Sequence, residues 1–114
     1  MKRSLILFLS DILENINYVE QFSKGLTKSG LEKNKLKEKA LVRCLEVIGE
    51  ATKNSPDSFR EKHPEVEWKK VAGFRDILIH AYFQVDLDIT WEVIKNDLPV
   101  LKKQILKIKK DLEE

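Results

Sequence analysis

Apolar residues recur at helical spacing along almost the entire chain of 114 residues. The first stretch shows this most clearly, with apolar side chains at Leu5, Phe8, Leu9, Ile12, Ile16 and Val19. Intervals of three and four residues place such side chains on one face of a helix. The sequence contains no strand-like alternation, no internal repeat and no glycine-rich phosphate-binding loop. It therefore predicts an all-α fold, an antiparallel up-and-down helical bundle in a single domain spanning residues 1–114.

Breaks in this pattern divide the chain into four long helices and short extra ones. Glycines, prolines and hydroxyl residues mark the breaks. The predicted long helices cover residues 4–22, 31–53, 65–83 and 98–112, with a loop over residues 23–30. Ser55 is the predicted N-cap of a short helical turn that begins at Pro56, and Asp86 or Asp88 is the predicted N-cap of a second short helix.

Composition narrows the class of protein further. The chain has 42% apolar and 35% charged residues, which is typical of a soluble helical domain, and its net charge of +2 is far below that of a dedicated duplex-binding protein. Cys44 is the only cysteine, so no intramolecular disulfide can form and no cysteine cluster suggests a metal site. No export signal or membrane span is recognisable. We therefore expect a cytoplasmic protein that uses no metal or other cofactor.

One face of the second predicted helix carries Arg43, Glu46, Glu50 and Lys53. This spacing favours a solvent-exposed ladder of ion pairs, which is common on helices. Glu46 lies within an apolar run, however, and is also a candidate partner for Arg75. Gly49 lies in the same helix, where glycine costs about 1 kcal/mol relative to alanine. Its presence predicts a bend or the close approach of a neighbouring helix.

The stretch from Arg75 to Phe83 places an Arg, an Asp, a His and a Tyr in the most apolar helical run of the chain. An unpaired charge in a protein core costs several kcal/mol, so these side chains require partners or a ligand. On an ideal helix Arg75 and His80 are separated by about 7.5 Å along the axis and about 140° around it. They can converge only through a reaching Arg side chain, a distorted helix or a second copy of the chain. We therefore expect a homodimer with the site at or beside the interface.

Two interpretations of these residues follow from spacing alone. In the first, His80 is a core histidine bonded to a backbone carbonyl and Arg75 is an ion-pair partner of Glu46 or Asp76. In the second, they form a site for metal-free RNA cleavage. A His side chain can exchange protons with the ribose 2′-OH or the leaving 5′-oxygen, and an Arg side chain can stabilise charge on the phosphoryl oxygens.

The motif formed by Arg75, His80 and Tyr82 resembles the R-x4-H-x-Y signature of the HEPN superfamily, specifically its HepT-like branch. Three further segments, residues 45–51, 68–75 and 91–99, are also similar to the pattern of that family. The resemblance covers nearly the whole chain, and Asp76 matches the polar residue that commonly follows the Arg of the motif.

This resemblance implies a helical-bundle homodimer that acts as a metal-independent endoribonuclease toxin. Its partner would be a minimal nucleotidyltransferase that serves as the antitoxin. The resemblance assigns Arg75 and His80 as the catalytic pair and Asp76 as a supporting polar residue. Tyr82 would support the site and would be the hydroxyl that the partner adenylylates. The alternative function in the same family is a non-catalytic nucleotide-binding or adaptor subunit of a two-component nucleotidyltransferase.

Overall fold

A computed structural model describes residues 2–78 and 85–114 of the chain. The described residues form eight α-helices and one π-helical segment, and no β-strand occurs among them, which confirms the predicted all-α fold. The helices are α1 (Lys2–Ser23), α2 (Lys28–Lys33), α3 (Lys35–Lys53), α4 (Asp57–Lys62), α5 (Trp68–Ala72), α6 (Phe74–Leu78), α7 (Leu87–Glu92) and α8 (Leu98–Glu113), with the π-helical segment Val93–Asp97 between α7 and α8.

Three of the described helices, α1, α3 and α8, are long, and each matches a predicted long helix. The helix predicted over residues 65–83 differs from the prediction. It begins at Trp68, where the indole nitrogen donates a hydrogen bond to the carbonyl of His63 at 2.8 Å. It is interrupted at Gly73, which separates α5 from α6, and its predicted end lies outside the described residues. The predicted count of four long helices is therefore not confirmed.

Two local predictions near the start of α3 were wrong because side-chain caps create an extra helix. Residues 28–30 belong to α2 rather than to a loop, since the Thr27 hydroxyl oxygen accepts a hydrogen bond from the Gly30 amide at 2.9 Å. The Asn34 side chain accepts one from the Lys37 amide at 3.1 Å, which starts α3 as a separate helix. The chain reverses at Gly25, whose φ of 71° favours glycine.

The predicted caps of the short helices had mixed outcomes. Asp86 is the N-cap of α7 and accepts a hydrogen bond from the Ile89 amide at 3.0 Å, as expected. Ser55 does not cap α4, because its hydroxyl donates instead to the Thr52 carbonyl at 2.7 Å. The last long helix was predicted to begin separately at residue 98, but α7 continues through the wide π-helical turns directly into α8.

The central helix of the fold is α3, which contacts α1, α2, α5 and α6, while α1 packs between α3 and α8. Glu20 near the end of α1 pairs with Lys102 near the start of α8, so these two packed helices run in opposite directions. The fully buried side chains of the core come from helices along the whole chain and include Leu9, Ile12, Ile16, Leu41, Leu45, Ile48, Phe74, Leu78 and Ile105. Among residues 2–78 and 85–114, no helix is both long and apolar enough to cross a membrane.

Gly49 allows the closest packing between α3 and α5. A Cβ atom at this position would lie 3.1 Å from the Val71 carbonyl oxygen and 3.3 Å from that of Ala72. Both distances are too short for ordinary contact, and backbone atoms cannot rotate away as a side chain can. The predicted close approach of a neighbouring helix is therefore confirmed, and it sets the distance between α3 and the α5–α6 element.

We expect Gly49→Ala to destabilise the protein although alanine favours helices. The helical preference contributes about 1 kcal/mol, whereas forced separation of packed elements costs about 1–3 kcal/mol. Thermal unfolding followed by circular dichroism should show a lower Tm for this variant. Glu50→Ala, at the next and exposed position of α3, is the control and should leave the Tm almost unchanged. A higher Tm for Gly49→Ala would contradict this expectation, because it would show that α3 and α5 can move apart at little cost.

Candidate active site

Arg75 and Asp76 lie on α6, directly after the Gly73 break, and both are exposed. Phe74 and Leu78 anchor the same short helix in the core, since they are 1% and 0% exposed. Their spacing of four residues turns one face of α6 inward and leaves Arg75 and Asp76 outside that face. The buried side of α6 therefore packs against α3, and its polar residues face outward.

Glu46 on α3 is the partner of Arg75. The Nε atom of Arg75 lies 3.5 Å from the Oε2 atom of Glu46. The Glu46 side chain is 21% exposed and that of Arg75 is 51% exposed, so the pair lies at the edge of the packed interface. This result confirms that Glu46 can hold Arg75. The alternative ion-pair ladder is reduced to Glu50 and Lys53, at 3.9 Å.

The geometry of this pair leaves part of the guanidinium group available. The Nη atoms of Arg75 have no ion-pair partner among residues 2–78 and 85–114. An Arg side chain presents five N–H donors in a planar fork, and two parallel donors match two oxygens of a phosphate. A contact through Nε therefore orients the guanidinium plane while its other nitrogens can bind an anion.

His80 and Tyr82, the other two residues of the motif, lie outside the described residues. Asp76 is described, and its carboxylate forms no ion pair with another described side chain. The structure thus places Arg75 and Asp76 on the exposed side of the short helix α6 and brings Arg75 to Glu46. The assignment of His80 and Tyr82 to the site remains a prediction from the motif.

A second ion pair, which the sequence did not suggest, holds α5 against the π-helical segment that precedes α8. Lys70 Nζ lies 3.1 Å from Asp97 Oδ2 and donates a hydrogen bond to Asp97 Oδ1 at 3.2 Å. Asp97 belongs to the π-helical segment, and such wide turns often occur near functional sites. The pair helps to hold the element that carries Arg75. The two residues are 27 positions apart, so no local sequence pattern could have identified the contact.

The described groups with shifted pKa values do not add a nucleophile to this site. Burial raises the pKa of the Cys44 thiol on α3, which disfavours the reactive thiolate form. A hydrogen bond from the Tyr18 hydroxyl to Glu14, 2.6 Å long, raises the pKa of Tyr18. Within the part of the chain that the structure describes, no three His, Cys, Asp or Glu side chains cluster in a way that could hold a metal ion.

The fold and the exposed Arg75 define an all-α protein with a candidate anion site on a short helix of the bundle. Comparison with known families identifies it more closely, because the profile described as Ribonuclease HepT-like matches residues 12–108. The chain therefore belongs to the HepT-like family of the HEPN superfamily, as the motif predicted. The enzyme class that this membership supports is ribonuclease.

Individual relatives agree with this assignment. The chain is 46% identical over 113 residues to a "Putative RNase" of Methanocaldococcus jannaschii, covering 99% of this chain and 97% of the relative. It is 43% identical over 110 residues to a "Probable ribonuclease HepT" of Thermococcus cleftensis, covering 96% of this chain and all of the relative.

A further relative is a longer protein. The chain is 45% identical over all its 114 residues to a "Gamma-glutamylcyclotransferase and putative RNase" of Methanocaldococcus jannaschii, and it spans about half (51%) of that protein. No solved structure matches the chain.

We expect Glu46→Gln to slow RNA cleavage by about tenfold through loss of Arg75 orientation. The effect should fall on kcat with little change in KM, since the Nη nitrogens of Arg75, which would bind the phosphate, remain. Unfolding stability should change by less than about 1 kcal/mol, because the pair is partly exposed. Glu50→Gln, one turn further along α3, is the matched control and should retain the activity of the unmodified protein. Faster cleavage by Glu46→Gln would mean that Glu46 holds Arg75 away from RNA.

Proposed function

We propose that this protein is a metal-independent endoribonuclease that cleaves RNA through attack by the ribose 2′-OH. The observation that carries the proposal is the half-exposed guanidinium group of Arg75, held through Nε by Glu46, in a chain of the HepT-like family. Arg75 binds the non-bridging phosphoryl oxygens and stabilises the charge that develops on them. Asp76 is the neighbouring exposed residue, and its carboxylate keeps the surroundings of Arg75 polar.

The reaction needs two proton transfers, and His80 is the group proposed to carry out one of them. The 2′-oxygen forms a bond to phosphorus as its proton leaves, and the bond from phosphorus to the 5′-oxygen breaks as that oxygen takes up a proton. The products are a 2′,3′-cyclic phosphate end and a 5′-hydroxyl end. His80 acts as the base for the first proton or as the acid for the second, and neither step requires a metal or another cofactor.

We further propose that the active form is a homodimer. The support is geometric, since Arg75 and His80 lie about 140° apart around an ideal helix and do not share a face. Gel filtration coupled to light scattering tests this proposal. A protein that cleaves RNA as a monomer would contradict it.

The biological role proposed for this RNase is that of a toxin in a toxin–antitoxin pair in the cytoplasm. Its antitoxin would be a cognate minimal nucleotidyltransferase, which would adenylylate Tyr82. In this step the Tyr82 hydroxyl attacks the α-phosphate of ATP, a phosphodiester forms and pyrophosphate leaves. The added AMP places negative charge and bulk where RNA would bind.

Co-expression with the nucleotidyltransferase followed by mass spectrometry tests this route of control. The expected result is a mass increase of one AMP on the peptide that contains Tyr82, together with loss of RNA cleavage. Tyr82→Phe is the matched variant and should escape modification. Neutralisation of cleavage without any modification would favour simple occlusion of the site by the partner.

One observation favours the alternative function, a non-catalytic adaptor or nucleotide-binding subunit of a two-component nucleotidyltransferase. Glu46 already compensates the charge of Arg75, as a purely structural ion pair would. Under this alternative the purified protein binds the nucleotidyltransferase tightly and never cleaves RNA. An RNA cleavage assay of the isolated protein in EDTA separates the two functions.

A further inference from the structure

A surface groove lies between the end of α1 and the start of α8, on helices that do not carry Arg75. Its volume is about 800 Å³. The apolar floor of this α1/α8 groove includes Ile16, Val19, Ile94 and Leu98. Its charged rim is formed by Lys24, Lys95, Lys102, Lys103 and Glu20. The groove therefore combines an apolar floor with a rim that is mainly basic.

The rim concentrates positive charge that the chain as a whole lacks. Four lysines face a single glutamate, whereas the net charge of all 114 residues is only +2. Lys102 already compensates Glu20 at 2.7 Å. Lys24 and Lys103 are exposed and form no ion pair with any described side chain. The rim thus holds lysines that are free to pair with carboxylates of another molecule.

The floor of the α1/α8 groove opens onto apolar surface that water still reaches. Leu106, which lines the groove, is 48% exposed, and Pro99 is also exposed. Removing apolar surface from water is favourable in proportion to the area covered. An occupant that brings its own apolar side chains would therefore gain free energy from the floor as well as from the lysines.

The apolar floor and the basic rim distinguish between three classes of occupant: RNA, a second copy of the chain and an amphipathic helix. None of the lining residues is aromatic, so RNA bases would find no ring to stack on, and a phosphate backbone would leave the apolar floor uncovered. A second copy of the same groove, docked face to face, would bring lysines against lysines. An amphipathic helix with acidic residues beside its apolar stripe matches both the floor and the rim.

We propose that the α1/α8 groove is a docking site for an acidic amphipathic helix of a partner protein. The apolar stripe of the helix covers the floor beside Leu106, and its carboxylates pair with Lys24 and Lys103. The groove and the Arg75 site involve different helices, because Arg75 lies on α6 and faces α3. The docking site is therefore separate from the proposed RNA cleavage and does not depend on it.

A synthetic peptide provides the probe. It has about 18 residues, long enough to form a helix, with leucines at i, i+3, i+4 and i+7 flanked by glutamates. A second peptide keeps the leucines and carries lysines instead of the glutamates. Fluorescence anisotropy with the full chain should show that the acidic peptide binds at least about tenfold more tightly. A photo-crosslinker on the acidic peptide should label residues that line the groove, at the end of α1 and the turn that follows it and between Ile94 and Leu106.

Matched variants locate the binding surface. The double variant Lys24→Glu/Lys103→Glu should weaken binding of the acidic peptide by about tenfold or more. Lys33→Glu/Lys39→Glu makes the same change of charge at exposed positions of α2 and α3 and is the control. Leu106→Ala should also weaken binding, whereas Leu7→Ala, at an exposed leucine of α1 outside the groove, should not.

The same series can overturn the proposal. Equal binding of the acidic and basic peptides, equal weakening by both double variants, or crosslinks only to residues that do not line the groove would each contradict it. Binding of an oligouridine RNA that depends on Lys24 and Lys103, in the absence of peptide binding, would assign the groove to nucleic acid instead. RNA cleavage by the groove variants is measured in parallel and should equal that of the unmodified protein.

Discussion

Arg75→Ala should reduce RNA cleavage by about 10²–10³-fold, the loss typical of removing one group that stabilises transition-state charge. Arg75 is half exposed and forms one ion pair, so its removal should cost little in folding stability. The expected result is therefore a protein with an almost unchanged Tm and a greatly reduced kcat. Cleavage of a fluorescently labelled RNA under single-turnover conditions measures the effect directly.

Two further variants make this test specific. Arg75→Lys keeps the charge but loses the planar fork, so it should recover only part of the activity. Arg43→Ala removes an arginine from α3 that is not part of the motif, and it should cleave RNA at the normal rate. Full activity in Arg75→Ala would refute a catalytic role for Arg75 and leave it as a structural partner of Glu46.

His80→Ala should reduce cleavage by about 10²–10⁴-fold, the contribution typical of a general acid or base. The pH profile carries the more specific information. The reference pKa of a His side chain is about 6.5. If His80 acts as the base, the cleavage rate should fall as the pH drops below this value. If His80 acts as the acid, the cleavage rate should fall as the pH rises above it. The affected limb of the profile should disappear in His80→Ala.

His63→Ala is the control for the histidine, because His63 lies at the end of α4 and packs against Phe59 with ring centroids 4.9 Å apart. This variant should keep the pH profile of the unmodified protein. A profile in His80→Ala that has the same limbs as that of the unmodified protein would rule out His80 as the titrating group.

Helical periodicity predicted the main features of the fold because the spacing of apolar residues along the sequence defines the buried face of each long helix. The limits of α1 and α8 agree closely with the predicted ones, and so does the end of α3. The errors occur where side chains compete for backbone groups. Thr27 and Asn34 create α2 in a segment whose composition indicated a loop, and the Ser55 hydroxyl turns back to the preceding helix.

The candidate site was predictable in part. An acidic residue in an apolar run and a glycine in the middle of a helix both indicated that α3 faces another element, and the structure confirms both Glu46 and Gly49. The interruption at Gly73 was not predicted, because apolar residues continue through it without a change of period. The Lys70–Asp97 pair also depends on tertiary packing, which a local pattern does not contain.

Cleavage of RNA in EDTA, with analysis of the product ends, tests the proposed function most directly. We predict cleavage by the purified protein without any divalent metal, 2′,3′-cyclic phosphate and 5′-hydroxyl ends, and loss of both in Arg75→Ala and His80→Ala. Cleavage that requires added metal and leaves 5′-phosphate ends would contradict it, and so would undiminished cleavage by either variant.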